Sequence, residues 1–146
     1  VLGYALARWL IWGMIGGVWL LVFLQILSWS DYGSVAIPTM LLGVVFNLIL
    51  GKIFVRKRPF ETHDDQVEPL IPRFWLGYSF PSDHAMAAFS IALPMVTVHS
   101  SLALLYVACA TLVAIGRVLV GVHYPSDITV GAASAIAAYL LSAVVW

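Results

Sequence analysis

The stretch GYSFPSDHAMAAF, residues 77–89, sets Ser82, Asp83 and His84 at the mouth of an apolar run. A second stretch, GRVLVGVHYPSDI (116–128), repeats the Pro-Ser-Asp triplet, with His123 just ahead of it and Arg117 six positions earlier. Almost everything around them is oil. Of 146 residues, 62% are hydrophobic and 10% charged, and the mean hydropathy is +1.00. A soluble domain is typically about one quarter charged, and a short chain cannot hide so much apolar surface inside itself. The fold class is therefore all-α, a polytopic bundle of membrane helices whose polar triplets sit at helix ends.

Apolar runs of about 20 residues cross a bilayer as helices. Five such runs are present, at about 9–27, 36–55, 84–99, 102–122 and 127–146. The third is short and carries Pro94, which predicts a kink. Pro38 falls near the start of the second, where a first helical turn tolerates it. Small residues (Gly13, Gly16 and Gly17; Gly131, Ala132, Ser134 and Ala135) favour close helix packing. One domain over 1–146 is expected, with a polar loop at about 56–83. The zero net charge leaves no electrostatic footprint for a nucleic-acid partner. Cys109, the one cysteine, cannot form an internal disulfide. The chain opens on Val1 with no signal-peptide pattern, so a preceding segment is expected.

Threading the spans brings the ends of the second and fourth runs and the starts of the third and fifth to one face. Ten of the fourteen charged residues lie between Lys52 and Asp83, and Arg8, Arg117 and Asp127 join the same face. Counted mechanically, that face is cytoplasmic. Basic residues recruited to bind an anion do not report topology, however, so charge alone leaves the orientation open.

Ionisable groups at membrane depth are costly and point to function. Lys52 and Arg58 stand six positions apart at the end of the second run, with Pro59 closing it. In a continuous helix they would point about 240° apart, so both reach one ligand only if the last turn unwinds. Arg56 and Lys57 read as cations snorkelling to the interface, whereas Lys52, deeper and after Gly51, reads as a ligand-binding cation. Ser82 is a good N-cap for the third run. Such a helix start offers free N–H groups and a positive dipole end to a phosphate, with His84 in its first turn. Arg117 supplies a planar donor fork for phosphate oxygens. Asp127, four positions after His123, can hold one imidazole nitrogen and leave the other free as nucleophile or base. Two histidines, a carboxylate and several cations on one face fit phosphoryl transfer. A metal site built from His63, Asp64 and Asp65 with His84 and His123 is the rival reading. The surrounding Lys and Arg residues disfavour it. His99 reads as an interfacial residue of the opposite face, and Gln25 and Asn47 read as interhelical hydrogen-bonders at depth.

Three signatures, Lys52 followed by Arg58-Pro59, Pro81-Ser82-x-His84, and Arg117-x5-His123-x3-Asp127, resemble those of the type 2 phosphatidic acid phosphatase superfamily. The resemblance covers roughly residues 40–140. It implies that His123 is the nucleophile forming a phosphohistidine, that Asp127 orients it, and that His84 protonates the leaving group. Lys52, Arg58, Ser82 and Arg117 would hold the phosphoryl oxygens, with Asp83 in the same group of substrate-binding residues. No metal and no cofactor are implied. Two departures stand out: Gly116 replaces the usual Ser before the Arg, and Asp83 replaces the common Gly between Ser and His. The run Ser-Phe-Pro-Ser-Asp-His resembles the version in bacterial undecaprenyl diphosphate phosphatases. That implies hydrolysis of a polyprenyl diphosphate to its monophosphate. The alternatives are a phosphatidylglycerol phosphate, phosphatidic acid or lipid A phosphatase, or a lipid phosphotransferase with the same site. Members of this architecture usually have six spans, sit in the bacterial inner membrane and carry the site on its extracytoplasmic side. Five spans with Val1 on the active face are expected if one N-terminal helix precedes the chain. A transporter would carry more ionisable groups near mid-membrane, and a soluble haloperoxidase would be less apolar.

Overall fold

A computed structural model of the chain describes residues 2–62 and 78–145. Eight helices run through them in order: α1 (Leu2–Arg8), α2 (Leu10–Phe23), α3 (Trp29–Ile53), α4 (Pro59–Thr62), α5 (Asp83–Ala92), α6 (Pro94–Val98), α7 (Ser100–Leu119) and α8 (Pro125–Val145). The protein is an all-helical, polytopic membrane protein. Helices α3, α7 and α8 are each long and apolar enough to cross a bilayer, and α1 with α2 makes a fourth candidate span, bent by 51°. The third apolar run is shorter, over Asp83–Val98. All five expected runs are thus helical, but full-length spans number three, or four with the bent pair, among the described residues.

Local chemistry sets the ends. Ser28 caps α3, its hydroxyl accepting from the Asp31 N–H, with Asp31 itself in the positive first turn. That cap starts the helix earlier than hydropathy implied, so Pro38 lies inside α3 rather than in its first turn. Pro94 opens α6 and breaks the third run, as its missing N–H requires. Gln25 is not at depth: it sits exposed in the turn after α2, at φ 58°. At the bend between α1 and α2, Arg8 donates to the Tyr4 hydroxyl at 2.6 Å and lies over the Tyr4 and Trp9 rings.

The short helix is the innermost. Helix α5 packs against α3, α7 and α8, and Ala85, Ala88 and Ala92 on it are fully buried. Small side chains let neighbouring backbones close in where lipid supplies no hydrophobic drive between helices. The main core gathers Met14, Val18, Tyr32, Ile91, Met95, Tyr106 and Val113, and the Tyr32 hydroxyl is satisfied by the Ile91 carbonyl at 2.9 Å. A smaller cluster of Ala7, Phe60, Val120 and Val122 lies at the other end, where the polar residues converge.

The α5–α8 crossing positions the start of α5. A Cβ on Gly131 would run into the Ser82 carbonyl and stand 3.3 Å from both the Ala85 Cβ and the Met86 nitrogen. Backbone cannot yield there. Gly131→Ala is expected to cost about 1–3 kcal/mol and to lower the unfolding temperature in detergent by several degrees. Gly13→Ala, whose Cβ meets nothing within 4 Å, should leave it unchanged or raise it. Circular dichroism melts of the two variants check this.

Candidate active site

The site is built on the turn between α7 and α8. Gly121, at φ 76°, takes the left-handed conformation that ends α7 and that other residues resist. The reversal carries His123 inward, to 4% exposure. Pro125 then opens α8, where its fixed φ fits and its missing donor costs nothing. Asp127 reaches back one turn, its Oδ2 accepting the Tyr124 N–H at 2.8 Å, the reciprocal half of a capping box. Its carboxylate is fully buried.

His123 Nδ1 lies 2.7 Å from the Ser79 carbonyl. A carbonyl only accepts, so Nδ1 carries the hydrogen and Nε2 presents its lone pair, which accepts a long contact from Arg58. Arg58 Nη1 stands 3.4 Å from that Nε2. Asp127 Oδ2 is 3.7 Å from Nδ1, beyond a hydrogen bond to neutral imidazole. Here the structure refines the expected roles, because the direct partner of the ring is a backbone carbonyl. Asp127 is held off because Ser79 Oγ and the Tyr124 N–H already occupy Oδ2, while Arg56 holds Oδ1 at 3.0 Å. Burial lowers the His123 pKa most. Asp127 opposes that shift, Arg58 and Arg117 add to it, and Ser79 also opposes it.

The cations divide into two groups. Arg58, half-buried, donates to the Val122 carbonyl at 3.1 Å, and its backbone N–H is taken by Glu61 Oε2 at 2.8 Å. Arg117 is 7% exposed. It donates through Nη1 to the Ala7 carbonyl at 3.2 Å, and its buried Nε has no partner among the described residues. A guanidinium N–H left so is ready for an anionic oxygen. His84, half-buried, lies within electrostatic reach of Arg117, His123 and Arg58. Arg58, His84, Arg117 and His123 therefore converge.

The remaining expected residues fall into different places. Ser82 caps α5 with its hydroxyl, accepting from the Ala85 N–H at 3.4 Å. Its own N–H goes to the Asp127 carbonyl at 3.0 Å, so that backbone donor is not free for phosphate. Asp83 is exposed, and its Oδ1 accepts from Asn47 Nδ2 at 2.9 Å. An ionised carboxylate has no hydrogen to offer a phosphate, which corrects the grouping of Asp83 with the phosphate-holding side chains: it ties α5 to α3. Lys52 lies exposed in the last turn of α3, and among the described residues no hydrogen bond or ion pair draws it toward His123. Arg56 departs from the snorkelling reading. It pairs with Asp127, donates to Ser126 Oγ at 2.7 Å and stacks over Tyr124 with its guanidinium carbon 3.8 Å from the ring centroid. Gly116 has a steric reason to replace Ser, because a Cβ there would meet the Ala7 nitrogen and the Leu6 Cβ, each at 2.8 Å. Ser79 and Arg56 are the functional positions that sequence reasoning missed. Among the described residues no three His, Cys, Asp or Glu side chains gather as metal ligands, and His63, Asp64, Asp65 and Arg73 lie outside those residues.

This arrangement of an imidazole with unprotonated Nε2, a buried carboxylate behind it and guanidinium groups in front sits within a recognised pattern. Residues 33–146 match the PAP2 superfamily. The chain belongs to that superfamily. It is 34% identical over 86 residues to the undecaprenyl-diphosphatase BcrC of Bacillus subtilis (strain 168), covering 59% of this chain and 43% of that protein. It is 31% identical over 132 residues to the lipid A 1-phosphatase of Rhizobium etli, covering 84% of this chain and 53% of the relative. The crystal structure of Aquifex aeolicus LpxE superposes with a TM-score of 0.72 at 27% identity, over 97% of this chain and 80% of that one. The chain spans about half the length of these curated relatives.

The bonding at His123 makes a spectroscopic expectation. Nitrogen-15 spectra of histidine-labelled protein, assigned with His123→Gln, should show His123 neutral at pH 7 with hydrogen on Nδ1. Because burial disfavours the imidazolium, its protonation midpoint should fall below the ordinary value of about 6.5. A midpoint above that value, or hydrogen on Nε2, would contradict the geometry.

Proposed function

We propose that this protein is an integral membrane lipid phosphatase that works through a phosphohistidine, with a polyprenyl diphosphate such as undecaprenyl diphosphate as its substrate. One observation carries the chemistry: His123 Nδ1–H is tied to the Ser79 carbonyl, which leaves Nε2 as a lone pair beside Arg58. In this reading Nε2 attacks the terminal phosphorus and the bond to the leaving oxygen breaks. Arg58 and Arg117 neutralise the charge on the equatorial oxygens. Burial, and after it the charges of Arg117, His123 and Arg58, push the His84 pKa down to about 3 in the free protein. The charge of the bound phosphate opposes that shift, so that His84 takes up a proton with the substrate and donates it to the leaving oxygen. The imidazolium formed at His123 finds its counter-charge in Asp127. Water, deprotonated by His84, then attacks phosphorus and releases phosphate. No metal takes part, so activity should persist in chelator.

The substrate class rests on two supports, the Ser79–His84 run and the similarity to the Bacillus diphosphatase. Arg56, paired with Asp127, and Arg8, bonded to Tyr4, lend that reading no charge for a second phosphate. A second reading, a lipid A 1-phosphatase, has its own support: that relative aligns over 84% of this chain. A phosphotransferase with the same site would release no free phosphate. Placement in a bacterial inner membrane with the site facing outward follows from the same family reading.

His123→Ala should abolish phosphate release while leaving the melt unchanged, and Asp127→Asn should lower kcat by about three to four orders of magnitude, as in hydrolase triads. Near-normal turnover by His123→Ala would defeat the phosphohistidine mechanism. On a panel at equal surface concentration, undecaprenyl diphosphate should give a higher kcat/KM than lipid A 1-phosphate, phosphatidylglycerol phosphate or phosphatidic acid. A higher value for any of the others reassigns the substrate.

A further inference from the structure

Ser79 touches both halves of the pair that does the chemistry, although those halves do not touch each other in hydrogen-bond geometry. Its carbonyl accepts from His123 Nδ1 at 2.7 Å. Its hydroxyl donates to Asp127 Oδ2. Its N–H donates to the Arg56 carbonyl at 2.8 Å, and the Arg56 side chain returns to Asp127 Oδ1 at 3.0 Å. The residue is fully buried. Each of its three polar groups therefore has one partner, and all three partners belong to or hold the His123–Asp127 pair.

We propose that Ser79 is a positioning residue, whose carbonyl selects the imidazole tautomer and whose hydroxyl holds the Asp127 carboxylate behind the ring. This rests on the phosphohistidine reading of His123. The division of labour follows from what each group can do. A neutral carbonyl orients the resting imidazole while raising its basicity less than the carboxylate does. Asp127, occupied by three donors, stays ionised and in place until the ring becomes cationic. Its charge then acts at 3.7 Å, where attraction in a buried setting is substantial. Without the hydroxyl, Oδ2 keeps only the Tyr124 N–H and is free to swing toward Nδ1. The ring would follow, and small displacements of a nucleophile are expensive.

The groups facing His123 are Arg58 ahead of α4, Arg117 on α7, His84 on α5 and Asp127 on α8. Ser79→Ala changes none of them. It removes one donor from Asp127, which makes that carboxylate a better acceptor for the imidazolium, so the His123 midpoint should move up. The expected result for Ser79→Ala is a kcat lower by about 10- to 100-fold, with KM within about twofold and a protein that still folds, its melt lowered only by the loss of one buried hydrogen bond. Ser79→Cys, with a similar shape and a weaker donor, should fall between. The discriminating measurement is the Ser79→Ala/Asp127→Asn double variant. If the hydroxyl works through Asp127, the double variant should be little slower than Asp127→Asn alone. Losses that multiply, an unchanged kcat, or a His123 nitrogen-15 midpoint that does not move would each overturn the proposal. Turnover retained by His123→Ala would instead remove the phosphohistidine reading. The nitrogen-15 titration of Ser79→Ala would still decide whether Ser79 governs the ring.

Discussion

A fully buried carboxylate at the mouth of a membrane bundle is the constraint on which the site depends. Asp127 has no exposed surface, and an unpaired charge there would cost several kcal/mol. The cost is met by a hydroxyl, a backbone N–H and a guanidinium, all at once. Satisfying Asp127 forces Ser79 and Arg56 into place, and Ser79 then determines the ring orientation of His123. Remove any one donor and the others cannot substitute, because each arrives from a different segment.

The same logic divides the cations by what they leave undone. Arg56 is spent on Asp127, Ser126 and Tyr124, and stacking with pairing makes it structural. Arg117 is buried with its Nε unanswered, a state that an anionic oxygen relieves. Arg58 donates to the Val122 carbonyl and stands in contact with His123 Nε2. Cations near the site therefore differ: Arg56 is held by Asp127, whereas the buried Arg117 Nε has no partner among the described residues. Asp83 follows the same rule from the acidic side, since Asn47 ties its carboxylate to α3.

Helix packing explains why this precision survives in lipid. The α5 start is pressed against α8 at Gly131, and α7 is pressed against α1 at Gly116. Both crossings use the missing Cβ to bring backbones together, so Ser82 and Arg117 are located by steric contact rather than by long flexible side chains. The cost of the second crossing is visible in the chain itself: position 116 has no room for a side chain.

What the sequence by itself determined is everything that depends on near neighbours. Hydropathy decided the membrane and the helical class. Ser82 as a cap, Pro125 as a helix opener and Pro94 as a break are local stereochemistry acting within a turn. The pairing of His123 with Asp127 is four residues long and legible for that reason, and so was Arg117 on the same face. Span lengths were less legible, because the Ser28 cap and the bend after Arg8 move helix ends without changing hydropathy. Only the tertiary structure decided which donor meets which acceptor. Ser79 reaches His123 and Asp127 across 44 and 48 positions, and Arg56 reaches Asp127 across 71. Residue type declares that an arginine can donate and a carbonyl accept, but the direction of each is set by how distant helices cross. That is why Arg56 reads as a snorkelling cation in the sequence and as the partner of a buried carboxylate in the fold.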